Sequence, residues 1–221
     1  MVENQKLKFT KKFGTDCADK REMKRLFWVC ALVLASATPA LAYKILYAEQ
    51  WYQLFHEHLY QYPDDCMENI WYLEQARKAD FANPLNALTK ITNKTQWALY
   101  RDLFMMHVDV LLIQQYLQLG HDFDKDHAYF FNYPWKAANL DSLKTAEKVY
   151  KVAFGYWDDA VRWAEKAKKY PFIELDNIQF WSDEAWRIQT GDLNYHAIIQ
   201  RQLDHLRKVR QEFEAMGPKT Y

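Results

Sequence analysis

The chain has 221 residues, of which half are hydrophobic and 17% aromatic, and it contains only five Gly and six Pro. This composition excludes a disordered chain and favours a helical globular domain. The formal net charge is zero, but residues 1–42 carry eight Lys or Arg against four Asp or Glu, which leaves a net charge of −4 for the remainder. A mildly acidic body lacks the basic surface that nucleic-acid binding requires, so no nucleic-acid partner is expected.

The N-terminal stretch has the pattern of a secretory signal. Lys24 and Arg25 precede a twelve-residue apolar run, Leu26 to Ala37, and the small residues Ala40 and Ala42 follow. A basic region, a short apolar region and small residues at −3 and −1 predict cleavage after Ala42 and a soluble periplasmic protein. Translation from Met23 would leave residues 1–22 outside the protein; otherwise they form a long basic region.

An uncleaved membrane anchor is the alternative for the same stretch. Leu26 to Tyr43 provides about eighteen mostly apolar residues, which is near the lower limit for crossing a bilayer. In either case the basic flank should stay in the cytoplasm, so the body is expected to be exported. The inner membrane is a partner only if the anchor is retained. The sequence thus predicts a signal or anchor (1–42), one all-α domain (43–217) and a short tail (218–221). Cys66 is the one cysteine of the exported body, so no intramolecular disulfide is expected.

Apolar residues recur at helical spacing through most of the body. Pro63, Asp64 and Asp65 together are expected to end the first helix and cap the second. The fourth helix, from Gln96, has apolar residues on more than one face, so it should be buried on several sides. In chain order we expect helices at 43–62, 65–79, 84–94 (a short helix or turn) and 96–119, then an aromatic-rich loop or broken helix at 121–136. A two-helix unit at 142–170, an extended connector at 172–180, and helices at 181–190 and 193–216 follow.

The segment 142–170 is interpreted as two antiparallel helices joined at Gly155. Glycine commonly supplies the left-handed residue that ends a helix, and Asp158 with Asp159 would begin the next one. Gly120 and Gly191 also follow helical stripes, and the three glycines lie 35 and 36 residues apart. This period predicts stacked antiparallel helical hairpins in an irregular short solenoid.

The second half of that unit resembles the tetratricopeptide repeat (TPR), whose second helix carries small residues and an aromatic at matching offsets after a turn glycine. The residues that carry the resemblance are Gly155, Trp157, Ala160, Ala164 and Ala167. It implies a TPR-like scaffold that binds proteins or peptides along a concave face. A signal-bearing, aromatic-rich repeat protein of this size also resembles the small periplasmic collar proteins of the spirochaetal flagellar motor, which implies a structural subunit and not an enzyme.

No catalytic, cofactor or metal site is predicted, and the protein is not expected to be an enzyme. The acidic run from Asp122 to Asp126 lacks the glycine and glutamate of a calcium-binding EF-hand loop, so a solvated loop is expected. His56 and His58 are two residues apart on one helix and would point in different directions. Ser142 and Ser182 are interpreted as N-caps and not as nucleophiles.

The aromatic content suggests an interaction surface. Eight tryptophans lie in the body, more than a core of this size usually holds, and exposed Trp and Tyr are common anchors of protein interfaces. Sugar stacking and filling of the core are the alternatives. The sequence therefore predicts an exported scaffold within an envelope assembly or, alternatively, a glycan- or peptidoglycan-binding repeat protein. The predicted docking residues are Tyr129, Phe130, Tyr133, Trp135 and Trp157.

Overall fold

The computed structural model describes residues 44–219. Within this range the chain forms six α-helices and three short 3-10 helices and contains no β-strand, as the all-α prediction required. The α-helices are α1 (Ala48–Gln61), α2 (Cys66–Lys78), α3 (Lys94–Phe123), α4 (Lys136–Ala167), α5 (Gln179–Thr190) and α6 (Tyr195–Ala215). The 3-10 helices are Pro84–Asn86, Phe130–Trp135 and Asp176–Ile178.

Polar caps fix several of the helix ends. Asp65 accepts a hydrogen bond from the backbone N–H of Glu68, which confirms that the predicted stretch 63–65 caps α2. Asn93 and Asn194 cap α3 and α6 in the same way. Gly191 ends α5 in the left-handed region at φ 84°, so the predicted turn there is also confirmed.

The helix α3 is the centre of the fold. It contacts α2, α4 and α5, and its buried residues lie on all sides of the helix, as expected from the sequence. The helix α4 runs antiparallel to it, because Phe123 lies beside Ser142 while Tyr116 stacks on Tyr156 further along. Both α5 and α6 pack against α4. The molecule is thus built from helices laid in succession on the α3–α4 pair.

The predicted break at Gly155 is wrong. Residues Lys136–Ala167 form one helix of 32 residues, and Gly155 lies inside it with ordinary negative φ. The physical reason is a continuous apolar stripe with alternating spacings of three and four residues that passes through the glycine without a change of phase. Burial of this stripe outweighs the roughly 1 kcal/mol that a glycine costs within a helix. The stripe consists of Leu143, Ala146, Tyr150, Ala153, Trp157, Ala160, Ala164 and Ala167.

Other predicted boundaries also need correction. Gly120 does not end α3, which continues to Phe123. Ser142 and Ser182 lie within α4 and α5 and are not N-caps. The 172–180 connector contains a 3-10 turn at Asp176–Ile178 and joins α5 at Gln179.

A buried carboxylate ties the N-terminal hairpin α1–α2 to α3. Glu49 is 3% exposed; it accepts hydrogen bonds from the Ala82 backbone N–H at 3.0 Å and from the Tyr100 hydroxyl at 3.3 Å. Tyr100 in turn accepts from the Leu88 N–H at 3.3 Å. This network fixes the irregular 80–88 segment between α2 and α3. Tyr52 of α1 completes the contact through its ring, which lies 5.4 Å from that of Phe104.

The predicted signal or anchor, the cleavage after Ala42 and the start at Met23 lie outside the described residues. Between residues 44 and 219 no helix is both long enough and apolar enough to cross a membrane.

Candidate functional site

An aromatic segment, residues 129–135, lies in the connection between α3 and α4. Its 3-10 helix Phe130–Trp135 leads directly into α4 at Lys136. Phe130 and Trp135 are each 62% exposed, and Tyr129 and Phe131 are each 49% exposed. Soluble domains seldom expose so many large apolar side chains in consecutive positions without a binding role.

The exposed rings are ordered against one another. Tyr129 and Phe131 stack with centroids 5.2 Å apart and planes at 6°, and Phe130 meets Phe131 edge to face at 5.5 Å. These are favourable aromatic geometries. A shallow cavity of about 390 Å³ lies where the segment joins α4, lined by Tyr133, Pro134, Lys136, Ala137 and Leu140. The segment therefore offers both projecting rings and a recess into which a partner side chain could fit.

Hydrogen bonds hold both ends of the connection between α3 and α4. On the α3 side, Tyr150 donates its hydroxyl to Asp124 at 3.0 Å, and Ser142 donates to the Phe123 carbonyl at 2.6 Å. Burial and the neighbouring Asp124 carboxylate raise the pKa of Tyr150, so its hydroxyl stays protonated and keeps donating. Asp124 therefore belongs to a structural contact within the acidic loop.

On the α4 side, Lys136 holds the C-terminal end of α6. Its ammonium donates to the backbone carbonyls of Glu214 and Met216, both at 2.8 Å. A lysine at this position satisfies carbonyls that have no partner within the helix and complements the negative end of the helix dipole. The aromatic segment is thus attached to α4 and, through Lys136, to α6, which limits the entropy it would lose on binding.

The structure places the five predicted docking residues in three environments. Tyr129, Phe130 and Trp135 are exposed, and Tyr133 is half-buried against the core. Trp157 is different: only 7% of it is exposed, and its ring packs on Tyr195 of α6 with centroids 5.8 Å apart. Its position in the buried stripe of α4 explains this, and leaves it unavailable for docking. Phe131 was missed, although it lies within the same aromatic run.

A second polar cluster, also missed from the sequence, joins α2, α3 and α4. Arg77 donates through Nε to Asp109 at 2.7 Å and through Nη2 to Asp159, which also pairs with Arg162. Tyr156 donates to Glu74 beside them. Helical spacing within α2, α3 and α4 gives no hint that these residues meet, because they are 32 to 82 positions apart.

Burial dominates the electrostatics of this cluster. Asp109 is 0% exposed, and desolvation raises its pKa to about 6 despite the opposing effect of Arg77. One of its oxygens, Oδ2, has no hydrogen-bond partner among the described residues. Burial also raises the pKa of Tyr156. For Glu74, burial alone would raise the pKa, but hydrogen bonds from Lys78 and Tyr156 outweigh it and lower the value. The cluster connects three helices, and its accessible face borders Gly155.

Residues 95–216, more than half of the chain, match the model of a protein family described as a domain of unknown function, DUF8513. The chain belongs to the DUF8513 family. Its DUF8513 segment begins within the first turn of α3 and ends just after α6, so it includes the aromatic segment, whereas α1 and α2 precede it. No curated protein and no solved structure gives a significant match.

Proposed function

We propose that this protein is an exported, non-enzymatic helical scaffold that binds another protein through the aromatic segment 129–135. The observation that carries the proposal is the exposure of Tyr129, Phe130, Phe131 and Trp135 on a segment that hydrogen bonds attach to α4 and α6. Rigid aromatic side chains gain much contact area for little loss of conformational entropy, and they are the usual energetic centres of protein interfaces.

The cellular setting of the proposal rests on the sequence. The basic and apolar pattern before Ala42 supports export to the periplasm, in soluble form after cleavage or anchored to the inner membrane without it. The resemblance to collar proteins of the spirochaetal flagellar motor supports a structural place in an envelope assembly of that type. The packing of successive helices on the α3–α4 pair supports a role as a protein-binding scaffold.

The proposal is tested by site-specific photocrosslinking in the organism that makes the protein. A photoreactive phenylalanine analogue replaces Phe130 in one strain and Phe172 in another. Phe172 is fully exposed and lies beyond the other end of α4, which at 1.5 Å per residue is about 48 Å long. We expect a discrete protein adduct from position 130 that Trp135→Ala removes and Trp186→Ala, at a second exposed tryptophan, does not.

The same experiment distinguishes protein binding from the alternative function, glycan or peptidoglycan binding. An adduct whose added mass is removed by digestion with a cell-wall hydrolase would identify a glycan, because exposed tryptophan rings also stack on sugars. Equal adducts from positions 130 and 172, or no adduct from position 130, would contradict a docking role for the aromatic segment.

A further inference from the structure

The turn between α1 and α2 brings together three side chains that commonly bind metal ions. His58 lies in the last turn of α1, Asp65 is the N-cap of α2, and Glu68 lies in the first turn of α2. One ligand atom from each lies within 4.8 Å of the other two. His58 Nε2 and Glu68 Oε2 are 3.4 Å apart, which is about the distance between two ligands that each lie roughly 2.1 Å from one tetrahedral ion.

A buried asparagine fixes the orientation of the imidazole. Asn69 is 0% exposed, and its Oδ1 lies 2.9 Å from His58 Nδ1. The amide orientation is set by its Nδ2, which donates to the Tyr62 carbonyl at 3.4 Å. Because Oδ1 only accepts, Nδ1 carries the proton and Nε2 faces Glu68. This is the arrangement in which histidine ligands are usually held, with the second ring nitrogen donating to an oxygen of the protein.

The sequence around this turn is acidic. No Lys or Arg occurs between Lys44 and Arg77, whereas this stretch holds six Asp or Glu. With Asn69 on Nδ1, the other ring nitrogen, Nε2, faces the Glu68 carboxylate oxygen at 3.4 Å, a separation that a shared cation fits.

We propose that His58, Asp65 and Glu68 form a binding site for a divalent transition-metal ion of the Zn²⁺ class, with water completing the coordination. One imidazole nitrogen with two carboxylates favours such an ion over Ca²⁺ or Mg²⁺, which prefer oxygen ligands alone. The site would link the end of α1 to the start of α2. It involves neither the aromatic segment nor residues of the DUF8513 segment, so it stands apart from the proposed docking function.

The test is metal binding by the full-length protein after treatment with a chelator. Equilibrium dialysis against Zn²⁺ and Ca²⁺, followed by elemental analysis, gives stoichiometry and affinity, and Co²⁺ provides a visible spectrum that reports the ligands. We expect one Zn²⁺ per chain at this site, a rise in melting temperature, no comparable Ca²⁺ binding, and a Co²⁺ spectrum without the intense charge-transfer band of thiolates.

Three conservative variants and one control make the test specific. His58→Gln and Glu68→Gln should weaken Zn²⁺ binding by at least about 100-fold, since even the loss of an outer hydrogen bond to a ligand commonly costs 10–100-fold. Asp65→Asn removes a ligand charge while asparagine caps a helix equally well, so folding is retained. His56→Gln, on the same helix but outside the cluster, should bind like the parent. No Zn²⁺ binding, or binding that His58→Gln leaves unchanged, would overturn the proposal.

Discussion

Gly120 of α3 lies directly against the buried ring of Tyr150 in α4. A Cβ at position 120 would overlap three carbons of that ring. Tyr150 is 0% exposed, and its hydroxyl is held by Asp124, so the ring has no free space into which it can move. The glycine therefore permits the close approach of the two central helices.

Gly120→Ala should lower the free energy of unfolding by about 1–3 kcal/mol, the usual cost of forcing an extra carbon into a packed core. Urea denaturation followed by circular dichroism measures the change. An unchanged midpoint would mean that α3 and α4 separate at little cost, which would contradict the close packing at this position.

Gly155→Ala is the matched substitution with the opposite expected sign. Gly155 lies within α4, has helical φ, and a Cβ there would meet nothing within 4 Å. Alanine should therefore raise the free energy of unfolding by about 0.5–1 kcal/mol through its better helix propensity. The same denaturation series measures it. If Gly155→Ala instead destabilised the protein as much as Gly120→Ala, the result would support the predicted turn at Gly155 and contradict the continuous helix.

Asp109 should make stability depend on pH in an unusual direction. Its folded-state pKa is raised to about 6, above the ordinary carboxyl value near 4, so the folded protein holds this proton more tightly than the unfolded chain. The stabilisation that comes from protonated Asp109 is about 3 kcal/mol. It is fully present below pH 4 and is lost as the pH rises through about 6.

Asp109→Asn removes that titration. The difference in unfolding free energy between variant and parent should shift in favour of the variant by about 2–3 kcal/mol between pH 4 and pH 7. Chemical denaturation across this range measures the shift, and Asp183→Asn, at an exposed carboxyl of α5, is the control. A difference that stays constant with pH would show that Asp109 titrates normally.

Substitution of Trp135 should affect partner binding, whereas substitution of Trp157 should affect stability. Trp135→Ala is expected to weaken partner binding while leaving the melting temperature nearly unchanged, because the ring is 62% exposed. Trp157→Ala removes a buried ring and should cost about 3–5 kcal/mol. Thermal unfolding of both variants, with partner capture of the Trp135 variant, checks the pair. A large loss of stability in Trp135→Ala would assign that ring to the core.

Much of the local structure followed from sequence patterns. The cap at residues 63–65, the turn at Gly191 and the buried character of α3 depend on neighbouring residues, so they could be recognised without the fold. Gly155 shows where a single residue misleads: the apolar stripe on both sides was in phase, and its burial decides the helix. The stripe could be seen in the sequence. Whether its burial outweighs the low helix propensity of glycine depends on α3 and α6, the helices against which it packs.

The candidate sites divide in the same way. Phe130 and Trp135 belong to one run of aromatic residues, and the sequence by itself determined that this run was unusual. Only the tertiary structure decided that Trp157 is buried, because its exposure depends on Tyr195 of a later helix. It also brought Arg77 to Asp109 and Asp159, and placed His58 beside Glu68. Such contacts arise from the packing of separate helices, which hydrophobic spacing along one helix does not specify.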